Sequence, residues 1–229
     1  MNRNQITLTG VVLHDPRLSD SHPVALYTHI GLILPPDALP AYPKKKKRHV
    51  CVGECRIVFQ NNIVHEAAQF AKDDIIVVSG YLVTGYVRDA RINTNKVIAN
   101  FATPVDRAGF SKADCRNQIE ISGLLGDDPV EVFKPFHAWM VNLCLHLPPD
   151  PHQPHAKPRY RRYQVLFSEA IRDKALPFRK NDLVLVNGYF VPRCADHQTS
   201  TSRIIASSMT HIGKSHATSE SGLISSVTG

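Results

Sequence analysis

The side chains able to do chemistry in this chain are cations and aromatic rings. Lys44-Lys45-Lys46-Lys47-Arg48 is the densest charge run, and Arg56 follows it closely. A second cluster, Lys157, Arg159, Arg161 and Arg162, is interleaved with Tyr160 and Tyr163. Tyr86, Arg88 and Arg91 make a sparser third group. Cations strung along a segment can follow a phosphate backbone, and flat rings beside them can stack on bases. Single-stranded nucleic acid asks for both. A lysine run also fits a solvated loop or a localisation signal. Recurrence of a basic cluster at the corresponding place in a second half of the chain favours phosphate contact.

Other chemistries find little support. No Ser-His-Asp motif, paired-carboxylate motif or phosphate-cradling glycine loop is present, so no catalysis and no cofactor are expected. Cys51-x-x-x-Cys55 has no second pair at zinc-finger spacing, and His146, His152 and His155 lie among prolines. No metal site is therefore expected. The formal charge of +7 points to an acidic partner, with an anionic membrane or mere solubility as alternatives. The excess is uneven: residues 1–112 carry 14 Lys and Arg against 9 Asp and Glu, the remainder 13 against 11. No apolar run is long enough for a membrane helix, and the N-terminus enters a strand pattern without a signal-peptide core. Five cysteines without framework spacing fit reduced thiols. These features predict a cytoplasmic protein without membrane association.

The elements that must position these groups occur twice. Asn4-Gln5-Ile6-Thr7-Leu8-Thr9-Gly10 returns as Asn117-Gln118-Ile119-Glu120-Ile121-Ser122-Gly123, an offset of 113. Asp15-Pro16 answers to Asp128-Pro129, and Leu34-Pro35-Pro36-Asp37 to Leu147-Pro148-Pro149-Asp150. The offset then falls to 108, matching Phe59 to Phe167, Asp74 to Asp182 and Gly80-Tyr81 to Gly188-Tyr189. A period this long has the length of a domain. In the first copy, strands are predicted over 6–13, 24–34, 49–59, 74–83 and 96–105. A helix capped by Asn61 or Asn62 runs through Ala71, and a polar loop covers 85–95. The run 74–83 is apolar and β-branched throughout, which predicts burial on both faces. In the second copy, strands are predicted over 118–125, 137–147, 160–167, 183–191 and 203–212, with a helix capped by Ser168.

Five strands with one helix between the third and fourth is the element order of an OB-fold barrel, whose strands 2 and 3 and flanking loops bind oligonucleotides. The fold class expected is all-β: two tandem OB-fold five-stranded barrels, each with one short helix between strands 3 and 4. They occupy 1–112 and 113–213, and a disordered tail covers 214–229.

Each copy resembles the OB-fold domain of bacterial single-stranded DNA-binding proteins. The resemblance rests on the opening Asn-Gln-Ile-x-Leu-x-Gly with its Asp-Pro, on Arg56-Ile57-Val58-Phe59 before a helix, and on Phe70-Ala71-Lys72-x-Asp74 leading to Gly80-Tyr81-Leu82. Val165-Leu166-Phe167 and Phe178-Arg179-Lys180-x-Asp182 through Gly188-Tyr189-Phe190 repeat it. It covers roughly 3–106 and 116–212. Family members with two such domains per chain are similar in layout, and the primosomal replication protein is a near relative. Gly53 and Arg161 stand where the family usually has a stacking tryptophan, and the family's acidic C-terminal tip is missing.

The resemblance implies a non-catalytic single-stranded DNA-binding protein of DNA replication, recombination or repair, with little sequence preference. It implies a homodimer presenting four barrels, and replication or recombination proteins as further partners. Phe59 and Phe167 match a family stacking residue, with barrel core as the other reading. Tyr27 and Trp139 lie on second-strand candidates at non-equivalent positions, so at most one need face a ligand; Trp139 is the expected binder. An accessory factor docking a protein partner, and an RNA-binding protein, remain as alternatives.

Overall fold

The computed structural model describes residues 3–19, 22–32, 52–87, 92–111, 114–133, 138–146, 160–192 and 202–214. Its strands are β1 (Asn4–Val12), β2 (Arg17–Ser19), β3 (His22–Leu32), β4 (Val52–Phe59), β5 (Ile75–Val87) and β6 (Ile92–Val105) in the first copy. The second copy has β7 (Asn117–Leu125), β8 (Val130–Phe133), β9 (Ala138–His146), β10 (Tyr160–Phe167), β11 (Asp182–Val191) and β12 (Arg203–Lys214). Helices α1 (Val64–Ala67) and α2 (Glu169–Ala175) sit between the third and fourth barrel strands. Hydrogen bonding runs β3-β4-β6-β5-β1, and the β1–β3 pairing closes the ring. The order β7-β11-β12-β10-β9 closes in the same way through β7–β9. The third and fifth strands of each ring are parallel, β4 with β6 and β10 with β12. This all-β architecture is a closed five-strand barrel.

The repeated residues are explained by what they hold. Asn4 donates its amide to the Leu82 carbonyl at 2.8 Å and accepts from the Leu82 N–H at 3.1 Å. Asn117 does the same to Phe190, at 2.8 and 2.9 Å. The Lys72 N–H donates to Asp15 and the Lys180 N–H to Asp128. Asp74 and Asp182 accept from the Ala71 and Arg179 N–H groups, closing the turn after each helix. Asp73 and Asn181 sit in those turns at positive φ, 73° and 69°, a conformation Asp and Asn tolerate better than most residues. A Cβ on Gly80 or Gly188 would lie 2.0 Å from a carbonyl oxygen of the neighbouring strand. Both glycines mark a register shift, so they form bulges that bend the long fourth strand around its barrel.

The first strands pair with each other. β1 and β7 run antiparallel from Asn4↔Ile121 to Leu8↔Asn117, centred on the equivalent residues Ile6 and Ile119. The two rings thus share a twelve-stranded sheet, and one apolar cluster runs from Ile6 and Leu8 to Val186 and Phe190.

Several expectations are corrected. The helix through Ala71 is a 3-10 turn over Asn61–Ile63 followed by the four residues of α1. No side-chain cap forms there or at Ser168; burial of Ala67 and Phe70 holds the segment instead. β5 is not buried on both faces, since Ile76 and Val78 are buried while Ile75 and Val77 are half-buried. The polar loop over 85–95 is largely strand, because β5 and β6 continue as a hairpin as far as Val87 and Ile92. β2 and β8 are additional short strands, and β12 extends to Lys214, one residue into the expected tail.

Candidate nucleic-acid interface

Pleating decides which side chains reach the outside of the barrel. On β3, Thr28, Ile30 and Leu32 are buried, so Tyr27 and His29 point outward. Register then places Val58 opposite Tyr27 and Arg56 opposite His29. β6 adds Lys96 beside Arg56 and Ile98 beside Val58. The Arg56 guanidinium carbon lies 4.1 Å from the centre of the Tyr27 ring, a cation–π contact. His14 reaches the same face, with its Nε2 2.8 Å from His29 Nδ1. Lys96 has its pKa lowered by partial burial and then by the positive charges of Arg56 and Arg161. This outward face therefore joins one presented ring to crowded cations, with Glu54 beside them on β4. An anion laid across it would relieve the repulsion.

The second copy keeps the geometry and changes the chemistry. Met140, Asn142, Gln164 and Arg203 stand where the first copy has Tyr27, His29, Arg56 and Lys96. Asp127 replaces His14, accepting hydrogen bonds from the Asn142 backbone and side chain.

The sequence-predicted residues separate into groups. Lys44, Lys45, Lys46, Lys47, Arg48, Arg88, Arg91, Lys157 and Arg159 lie outside the described residues. Tyr86 is placed on β5, its backbone paired with Asn93. Arg56 is on the outer face, and Tyr160 and Arg162 are exposed on β10. Stacking is corrected for four aromatics. Phe59 and Phe167 are at most 1% exposed, Tyr163 3% and Trp139 8%. Phe59 packs on Phe70 at 5.9 Å and Trp139 stacks on Phe167 at 6.2 Å. No face of these rings is left for a base. Tyr163 instead donates its hydroxyl to the Leu82 carbonyl of the first ring at 2.7 Å, and burial raises its pKa. Arg161 donates to the Thr84 carbonyl, so it also joins the two rings. Lys96, His29 and His14 were missed. For His29 and Lys96 the signal is alternation on β3 and β6, which places them on the face opposite the apolar set; His14 lies in the turn after β1 and carries no such signal.

His29 gives a test of this face. Its pKa is lowered by burial first and then by His14, with Arg56 acting in the same direction and Glu54 against it. The folded chain therefore resists a proton that the unfolded chain accepts. Stability is full above the ordinary value of 6.5 and falls as pH drops through the lowered folded pKa. His29→Asn, which installs the residue type found at position 142, is expected to flatten the fall in thermal midpoint between about pH 8 and 5. A variant that tracks the wild type over that range would show that His29 is not the group responsible.

A closed five-strand barrel with its third and fifth strands parallel and a helix before the fourth defines an OB-type fold. Solved structures agree. The wild-type single-stranded DNA binding protein from Thermus aquaticus is similar at a TM-score of 0.64 and 20% identity, over 93% of this chain and 94% of that one. A deletion mutant of the same protein gives 0.65 at 18% identity, over 96% of this chain and 98% of that one. No family model and no curated protein matches the sequence. At these identities the likeness carries the fold.

Proposed function

We propose that the chain binds single-stranded DNA, without catalysis and with little sequence preference, in DNA replication, recombination or repair. The observation that carries this reading is the outward face of β3, β4 and β6, where Tyr27, Arg56 and Lys96 meet on the OB surface used for oligonucleotides. The basic runs at 44–48 and 157–162 would extend it along the backbone. Similarity to a protein described as single-stranded DNA binding supports the same reading. The two rings act as paired binding domains, 1–112 and 113–213, in the cytoplasm, with replication or recombination proteins as further partners. The test is a titration of single-stranded DNA, duplex DNA and RNA at two salt concentrations. The single strand should bind tightest, and Tyr27→Ala should cost about 1–3 kcal/mol of that binding. Equal affinity for duplex would remove the reading.

Fusing two barrels halves the number of molecules needed to present four, and closed two-fold association is the commonest arrangement. A homodimer of about 51 kDa is expected, twice the 25.5 kDa of the chain. Light scattering during size exclusion measures it, and a 25.5 kDa particle at micromolar protein would rule out a stable dimer.

A second reading, an accessory factor that docks a protein partner, is favoured by one observation. The outer face of the second copy carries Met140, Asn142 and Gln164 and no ring at the Tyr27 position.

A further inference from the structure

The β5–β6 hairpin extends beyond the first ring and lies against β10 of the second, held by Arg161 to the Thr84 carbonyl and by Tyr163 to the Leu82 carbonyl. A narrow crevice opens along this seam. Thr84 and Asn95 line it from the hairpin; Arg162, Gln164, Ser202 and Arg203 line it from the second ring. Its side chains donate hydrogen bonds readily, two of them are guanidiniums, and among the described residues no carboxylate lines it. Just outside, Lys96 neighbours Asn95 on β6, and Arg56 pairs with it from β4. Among the described residues, the Nε atoms of Arg56 and Arg161 are buried without a hydrogen-bond partner. The cations of the first ring's face and those of the second thus meet at one place.

We propose that the mouth of this crevice, which itself has room for little more than a water, is a phosphate station, at which the backbone of a single strand crosses from the outer face of the first ring to the second. It rests on the single-strand reading above and specifies its path. Arg162 is exposed, so it can turn its guanidinium toward a phosphodiester, and the fork geometry of arginine suits two of its oxygens; Arg203, half-buried, lines the crevice beside it. Thr84 and Ser202 hydroxyls supply further donors. The charges crowded around Lys96 are a cost in the free protein that a bound phosphate removes. A strand short enough to lie on one ring would not need the station; one spanning both would.

The experiment compares oligothymidylates of about 10 and about 30 nucleotides, the shorter within the site size of one OB fold. It uses the full chain and the variant Arg162→Gln/Arg203→Gln. The longer strand should lose affinity in the variant, and its slope of log affinity against log salt should flatten by about 1.4, two contacts at about 0.7 each. The shorter strand should lose less affinity, because it need not cross the seam. Arg162→Lys/Arg203→Lys should restore the slope. Arg162→Gln alone, at an exposed position, should flatten it by about 0.7 and serves if the double variant does not fold. Unchanged binding of both lengths, or an equal loss for both, would overturn the station while leaving single-strand binding in place. If the wild-type chain binds neither length, the functional reading itself fails, and the station with it.

Discussion

Trp139→Ala is expected to cost about 3–5 kcal/mol of folding stability and to leave the single-strand affinity of the folded protein unchanged. The ring is 8% exposed. It stacks on Phe167 at an interplanar angle of 19°, and the Arg172 guanidinium lies 5.5 Å from its centre. Truncation leaves a cavity against a side chain that is itself fully packed, which adds to the lost transfer energy. Denaturant unfolding measures the first effect as a lower midpoint. As the sole tryptophan, Trp139 also reports on the second: saturating oligothymidylate should not quench it by stacking. Strong quenching, or a loss of affinity with an unchanged midpoint, would put the ring on the interface instead.

Replacing Lys44, Lys45, Lys46 and Lys47 together by alanine should flatten the salt slope for single strands by up to about 3 units, four contacts at about 0.7 each. Each lysine that neutralises a phosphate releases a counterion on binding, so the run would act as a salt-sensitive grip with no reading of sequence. The measurement is affinity for oligothymidylate over a salt series. A slope equal to that of the wild type would mean the run does not touch the backbone. Loss of affinity at one salt concentration, with the slope kept, would point to a changed fold rather than lost charge.

Much of the barrel could be read from the chain because its determinants are repeated. Asn4 and Asn117, the two Asp-Pro pairs, and Gly80 with Gly188 recur because each performs the same backbone task in both copies. Strand order followed from those markers. The side-chain roles were harder. Tyr27 and Trp139 differ by one step in the repeat alignment, and one step in a strand changes the face. The information was present: Trp139, Val141 and Leu143 form an alternating apolar set, with Met140 and Asn142 between them. Phe59 ends a similar set through Cys55 and Ile57. The extension of β5 and β6 was hidden because a two-stranded ribbon beyond the barrel has no continuous apolar face. The contacts of Arg161 and Tyr163 with the first ring could not be read, since each crosses between the copies and has no repeated counterpart.

The pairing of β1 with β7 has a consequence for how the two faces evolve and are used. Two separate identical chains meeting through that strand would present the same surface twice, and every substitution would appear on both. Within a single chain each surface drifts alone, as the pairs Tyr27 and Met140, His29 and Asn142, and Arg56 and Gln164 record. The local two-fold symmetry is broken, and the unlike halves are locked in one mutual orientation. A polymer lying across both would meet the ring-bearing half first in one 5′-to-3′ sense and last in the other. If single strands bind as proposed, the two ends of a bound segment therefore lie on unlike surfaces.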